Sequence, residues 1–426
     1  MAQTHAACEL LGFTRGFDEN DLDDNLAWLA AHQAPIERRV LTARRGHHQP
    51  GLLLYDGTSR DLAGRCKAFA AFGYNRDGKA GTRQGVVGLL CDEEGAPVST
   101  EVLTGHPPAL ATFAPQSRTV ARRFGGERVT FGGDRGMSKS GQSTALAQAG
   151  FHDITAWTQP QSNRFLTQGL LQLAWCADQV YEVDDAGRRS ILRRHPQRAA
   201  EIATGRQDKQ HTLERCVGKQ KADLHTQPRA QVAVALREVQ LKLARLPVEA
   251  WLRVEAEGRT LRLRLDETAQ REAARLDGGD VLKTDLPRPV AAAQVVHDRS
   301  KDLALVAQAF RTCKTTSLAW RPWFVRTEAS TRGHALVVRL ASLIIRALRQ
   351  AWGHLTLTVE EGVAPLATLC ALEVRVPGPE PFCRVPKPRG PSQRFLEAVG
   401  VQLPDVLPQR KGEVVTRTKL PKRRKL

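Results

Sequence analysis

This 426-residue chain has no apolar run approaching the roughly 18 uncharged residues of a membrane span. Its longest, Ala335 to Leu348, is broken by Arg339 and Arg346. A basic-then-apolar leader pattern is missing too, since the N-terminal stretch carries Glu9 and Asp18; secretion is not expected. The eight cysteines (Cys8, Cys66, Cys91, Cys176, Cys216, Cys313, Cys370 and Cys383) form no CxxC pair. That spacing argues against structural zinc and for a reducing cytoplasm. Internal repeats and long low-complexity segments are also absent. Lysine is scarce, 15 against 48 arginines, a skew that a GC-rich coding sequence produces as readily as function does.

What the chain does carry is positive charge on an ordinary globular composition. It is 41% hydrophobic and 25% charged, which excludes a disordered polyelectrolyte, and it is long enough for about two to three domains. The net charge is +18 with an isoelectric point near 10, which points to a polyanionic partner, nucleic acid first among them. The charge is unevenly spread. The first 34 residues hold six acids and only Arg15, and Leu22, Leu26 and Leu29 read as one face of a short helix. Residues 409–426 carry eight basic side chains and one glutamate, a basic tail.

Between the ends the pattern alternates. GLLLYD (51–56) is a short apolar run ending in an acid, and residues 84–105 read as two strands around a turn at Glu94-Gly95. Residues 111–124 look helical, RVTFGGD (128–134) is a second run ending in an acid, 140–149 reads as helix and 154–157 as strand. Segment 160–285 has the look of an insertion: a basic helical stretch around 195–245, then a hairpin about Glu257-Gly258 with Leu252, Val254, Leu261, Leu263 and Leu265 alternating. Leu303–Lys314 and the more apolar Arg332–Trp352 return to helical periodicity.

Asp56 and Asp134 each follow an apolar run. Either could be a strand-end cap, the commoner role of such an aspartate. Together, on adjacent strands, they could hold Mg²⁺, which prefers carboxylate and phosphate oxygens, and two such ions about 4 Å apart would clamp an in-line phosphodiester displacement.

The segments LLYDGTS, AAFGYNRDGK, VVGLLCDEEGAPVSTEV, RFGGERVTFGGDRGM, GGDVLKTDLP, AQAFRTCKT and RPWFVRTEASTRGH run in order over residues 18–376. In that order they resemble bacterial insertion-sequence transposases of the DDE class. The resemblance implies an α/β chain: an RNase H-like mixed sheet with flanking helices, interrupted by a β-rich insertion. It also implies metal-dependent cleavage of DNA at terminal inverted repeats and joining to a target, with Mg²⁺ or Mn²⁺ as cofactor. Double-stranded DNA is the implied partner, and a homodimer forms on it. By the resemblance Asp56 and Asp134 are the first two catalytic acids and metal ligands, and Lys314 matches the basic residue seven positions after the third acid; Arg135, which could meet a phosphate, and Arg311 join Lys314 as candidate DNA contacts. The implied division is an N-terminal helical segment (1–48), a first core part (49–159), the insertion (160–285), a second core part (286–376) and a basic tail (377–426).

Three departures stand out. Ala307 occupies the slot of the third acid, where such proteins read like VEQAFR; Asp302 and Glu328 are the nearest carboxylates, one about 140° around the helix and one beyond it. Ser300 stands where tyrosine is usual, and only Gly105 remains of the Gly-Asn-Thr pattern in TGHPPALATF (104–113). The resemblance also starts close to Met1, implying that an N-terminal DNA-binding region is missing. A catalytically inactive DNA-binding remnant is therefore the alternative function, and an RNA-binding or ribosome-associated basic protein would fit the charge without the ordered motifs.

Other residues have two readings. Trp251 either stacks on an unpaired base or packs in a core at the head of its strand, the commoner outcome. His47 and His48 sit in a loop and read as exposed. Cys313, beside Lys314, could have a lowered pKa, but no histidine or second cysteine accompanies it. RRFGGERV (122–129) lacks the Lys-Ser/Thr of a phosphate loop and reads as a turn.

Overall fold

A computed structural model of the chain describes residues 19–46, 48, 50–61, 67–72, 83–104, 130–133, 144, 146–148, 150–169, 179–185, 187–246, 248–315, 318, 325–370, 372–374 and 382–405. Two helices come first, α1 (Glu19–Ala31) and α2 (Gln33–Arg45). Leu26 and Leu29 are half-buried as the periodicity predicts, but Leu22 stays exposed, because only the later turns of α1 reach the body of the protein.

The strands β1 (Leu52–Asp61), β2 (Ala71–Phe72), β3 (Arg83–Asp92), β4 (Pro97–Thr104), β5 (Thr130–Gly133) and β6 (His152–Ala156) follow. β1 lies centrally, antiparallel to β3, which is antiparallel to β4. On its other side β1 pairs in parallel with β5, and β5 with β6. That arrangement is an RNase H-like core. Because side chains alternate along a strand, Leu52 and Leu54 face one layer while Leu53 and Tyr55 face the other. The second layer is closed by Leu41 of α2 with Leu146 and Phe151.

The turn between β3 and β4 is held by Asp92, whose Oδ1 accepts the N–H groups of Glu94 and Ala96 at 3.2 and 2.8 Å. This is the hairpin the Glu94-Gly95 pair predicts, and Gly95 sits at φ +75°.

One expectation is corrected here. Asp56 is not at a strand's end but midway along β1, which continues through Gly57, Thr58, Ser59 and Arg60 paired with β3. The polar residues that look like a turn are extended because β3 pairs with this half of the strand as far as Asp61.

Next come α3 (Gln159–Thr167), β7 (Tyr181–Asp185), β8 (Arg188–Arg194), α4 (Pro196–Thr226), α5 (Val232–Arg245), β9 (Leu252–Glu257), β10 (Thr260–Leu265), α6 (Glu267–Ala274) and β11 (Gly279–Thr284). Within the segment read as an insertion, β7, β8 and β11 join the main sheet, in the order β6-β11-β8-β7. α4, α5 and the β9–β10 hairpin enclose an apolar cluster of their own, centred on Leu213, Val239, Trp251 and Leu261. The chain then returns to the core through α7 (Ala293–Lys301), α8 (Leu303–Cys313) and α9 (Glu328–Ala351).

α9 buries Ala335, Leu336 and Val338 and crosses α1 at Gly333. A Cβ at 333 would lie 2.0 Å from the Leu26 carbonyl oxygen, so the two helix backbones touch there. Gly333→Ala gains about 1 kcal/mol of helix propensity but must push α1 away, an overpacking cost of about 1–3 kcal/mol. The net expectation is a lower thermal midpoint, measured by circular dichroism.

Candidate active site

The site is built on one face of the sheet. Leu52, Leu54, Asp56 and Thr58 share that face of β1 by their two-residue spacing. α8 lies across it, with Val306, Ala309, Phe310 and Cys313 packed on Leu52 and Leu54. Two contacts fix the helix's line. At one end Leu303 reaches the open space above Gly132, where a Cβ would meet Leu54 at 2.9 Å and Leu303 at 3.8 Å. At the other, Lys314 donates from Nζ to Thr58 Oγ1 at 3.2 Å, with its ammonium 5.4 Å from the Phe310 ring centre.

Leu303, Ala307, Phe310 and Lys314 follow the three- and four-residue spacing of one helix stripe. Ala307 thus lies between the contacts to Leu54 and Thr58, the two positions that flank Asp56 on its face. It is exposed. Asp56 is half-buried, and its Oδ1 accepts the Gly57 N–H at 2.8 Å. Neither neighbouring acid takes the place of residue 307. Asp302 precedes α8 at its N-cap, where burial pushes its carboxyl up. Glu328 starts α9 and is bonded to Arg332 at 3.1 Å.

Asp134 and Arg135 lie outside the described residues, as do His47, His106 and the RRFGGERV segment. β5 ends at Gly133, so the run ending in the second acid is a strand as expected. Arg311 is exposed on α8, three residues before Lys314. His48 is exposed, and Ser300 donates to the His297 carbonyl at 2.7 Å. Trp251 is only 4% exposed and packs on Leu213, Val239 and Leu261, leaving no ring face for a base. Cys313 is the reverse of an activated thiol: burial pushes it up to about 11.

A second constellation was not singled out from the sequence. His195, Asp280 and His297 bring one ligand atom each within 4.8 Å of one another. They stand 85 and 17 residues apart in the chain, so no local spacing signals them. Only the pairing of β8 with β11 and the packing of α7 on that part of the sheet unite them.

No protein-family model matches the chain, and no curated protein matches it either. Among solved structures it is similar to a piggyBac transposase synaptic complex with hairpin DNA, at 7% identity and a TM-score of 0.34, over 70% of this chain and 49% of that one. It is also similar to the Mos1 transposase paired-end complex with the left transposon end (13% identity, TM-score 0.18, 33% of this chain and 43% of that one). The Mos1 mariner paired-end complex with Mn gives 12% identity and a TM-score of 0.18, over 36% and 50%. The chain spans about half the length of these structures or less.

Proposed function

We propose that this chain is a DDE-class DNA transposase of a bacterial insertion sequence, acting on terminal inverted repeats with Asp56 and Asp134 as its acids. The observation that carries the reading is the placement of Asp56. It sits on the central strand of an RNase H-like core, on the face that α8, the helix carrying residue 307, packs against. The second acid is taken from the resemblance: Asp134 directly follows β5 in the sequence, and β5 pairs in parallel with β1.

The donor set fits a hard divalent cation in part. Asp56 offers carboxylate oxygen, suited to Mg²⁺ or Mn²⁺, whereas Ala307 offers no donor. A bound ion supplies Lewis-acid polarisation of a phosphodiester oxygen. In the reaction class proposed, water adds to phosphorus and the P–O3′ bond breaks, leaving a 3′-hydroxyl. That hydroxyl then attacks a target phosphodiester and displaces its 3′-oxygen. Lys314, bonded to Thr58 two residues after Asp56, and exposed Arg311 are in this reading the groups that would meet a DNA phosphate.

The implied division at 1–48, 49–159, 160–285, 286–376 and 377–426 belongs to this reading, with double-stranded DNA as partner, a homodimer on DNA and a cytoplasmic, nucleoid-associated location. Ala307 favours a second reading, an inactive DNA-binding remnant. Mn²⁺- or Mg²⁺-dependent cleavage of the DNA flanking this open reading frame tests the first; binding of that DNA without cleavage supports the second.

Under both readings, binding is dominated by phosphate contacts. With a net charge of +18, affinity for duplex DNA should fall by about a thousandfold between 50 and 200 mM salt, the loss for about six phosphate contacts. Fluorescence anisotropy across a salt series reads this directly. A flat response would remove DNA from the list of partners.

A further inference from the structure

His195, Asp280 and His297 form a cluster apart from Asp56 on β1. His195 follows β8 and caps the start of α4, Asp280 is the second residue of β11, and His297 lies on α7, 1% exposed. His195 Nε2 is 3.6 Å from Asp280 Oδ2, and the two imidazole centres are 5.9 Å apart. The backbone holds this geometry independently of the side chains. The His195 N–H donates to the Gly278 carbonyl at 2.8 Å, and Asp280 is in register with Arg193. A Cβ at Gly278 would meet the His195 carbonyl oxygen at 2.5 Å, so the approach of these segments needs glycine there.

His297 Nδ1 lies 3.4 Å from Asp298 Oδ1. A carboxylate on one ring nitrogen fixes the ring and leaves Nε2 for a ligand, the outer-shell arrangement of many metal-binding histidines.

We infer that His195, Asp280 and His297 bind a divalent transition-metal ion, Zn²⁺ by preference, with water completing the coordination. Two imidazoles and one carboxylate suit Zn²⁺ and its first-row neighbours; Mg²⁺ and Ca²⁺ prefer all-oxygen sets. The site cannot share an ion with Asp56. β1 and β11 are separated by β5 and β6, three strand spacings, or about 14 Å.

An ion here would tie three parts of the chain together: the first turn of the long helix α4, the strand β11 that returns to the core, and α7. Only Asp302 separates α7 from α8, so the ion would also steady the helix that carries Ala307. The competing account is electrostatic. Asp280 also faces Arg198 at 3.7 Å, and a carboxylate beside the positive end of a helix is favourable without any metal.

Co²⁺ distinguishes them. The untagged full chain, stripped with a chelator, should develop visible d–d absorption that saturates at about one equivalent, as a Zn²⁺-type site does. Zn²⁺ should quench that absorption and raise the thermal midpoint, since it binds the folded state. His195→Ala and Asp280→Asn, both at half-exposed positions and so less disruptive than a change at buried His297, should each weaken binding by at least about a hundredfold, beyond what an outer-shell change costs. Asp56→Asn should leave the absorption unchanged. No saturable absorption, absorption that survives both ligand variants, or absorption lost only in Asp56→Asn would each overturn the site.

Discussion

Ala307→Glu should raise Mn²⁺-dependent cleavage of the flanking DNA by about a thousandfold over the chain as it stands. The argument is charge and ligand count. In the proposed reading Asp56 and Asp134 supply two negative charges to a site that must hold divalent ions against a polyanion. A methyl group at 307 adds neither charge nor donor. A glutamate there would project from an exposed position of α8 between the anchors at Leu303 and Lys314, so it needs no core rearrangement. Restoring about 4 kcal/mol of transition-state stabilisation corresponds to that factor. Single-turnover cleavage of labelled DNA measures it, with Asp56→Asn in the same background as the control that should abolish the gain. Equal rates with and without the glutamate would mean that residue 307 is not where the third acid belongs.

Arg339→Ala should lower the free energy of unfolding by about 3–5 kcal/mol, the cost of stranding the partner of a buried ion pair. Arg339 is 1% exposed on α9; its Nη1 donates to the carbonyls of Pro97 and Val98 at 3.0 and 2.9 Å, and its Nε lies 3.9 Å from Glu37 Oε1. Glu37, 0% exposed on α2, also accepts from Ser99 Oγ at 3.1 and 3.0 Å and from Gln33 Nε2 at 2.8 Å. One guanidinium thus links α9, β4 and α2 through the interior, and truncating it removes a positive charge from beside a fully buried carboxylate. The double variant Glu37→Leu/Arg339→Met removes both charges and should cost less than the two single changes added together. Urea unfolding of the four proteins closes the cycle. Additive effects would show that the two groups do not depend on each other.

These two predictions differ in how far the sequence could have led to them. Ala307 stands out only against the signature helix of the transposases the chain resembles; helical spacing adds that residue 307 lines up with 303, 310 and 314. Local pattern likewise marks the β3–β4 hairpin, where Glu94-Gly95 interrupts two apolar runs, and β9–β10 around Glu257-Gly258. Strong periodicity and turn chemistry act over a few residues, and a few residues can be read.

The Glu37–Arg339 pair had no such signal. Arg339 reads as an interruption of an apolar run, and nothing in positions 37, 97–99 and 339 announces that three elements converge on one charge. The length of β1 was misread for a related reason. Gly57, Thr58, Ser59 and Arg60 have the composition of a turn, and they are extended because β3 supplies a complete antiparallel partner.

Local chemistry, then, determined the kinds of element, while the RNase H-like expectation and the role of Asp56 came from the resemblance to DDE transposases. The rest was decided by the tertiary structure. Sheet pairing drew β7, β8 and β11 into the main sheet, packing buried Trp251, and the two together brought His195 to Asp280 and His297 across 85 and 17 residues. The physical reason is that a strand's neighbours and a helix's resting face depend on the free energy of the whole assembled core, and contacts at such separations leave no periodic trace in the chain that makes them.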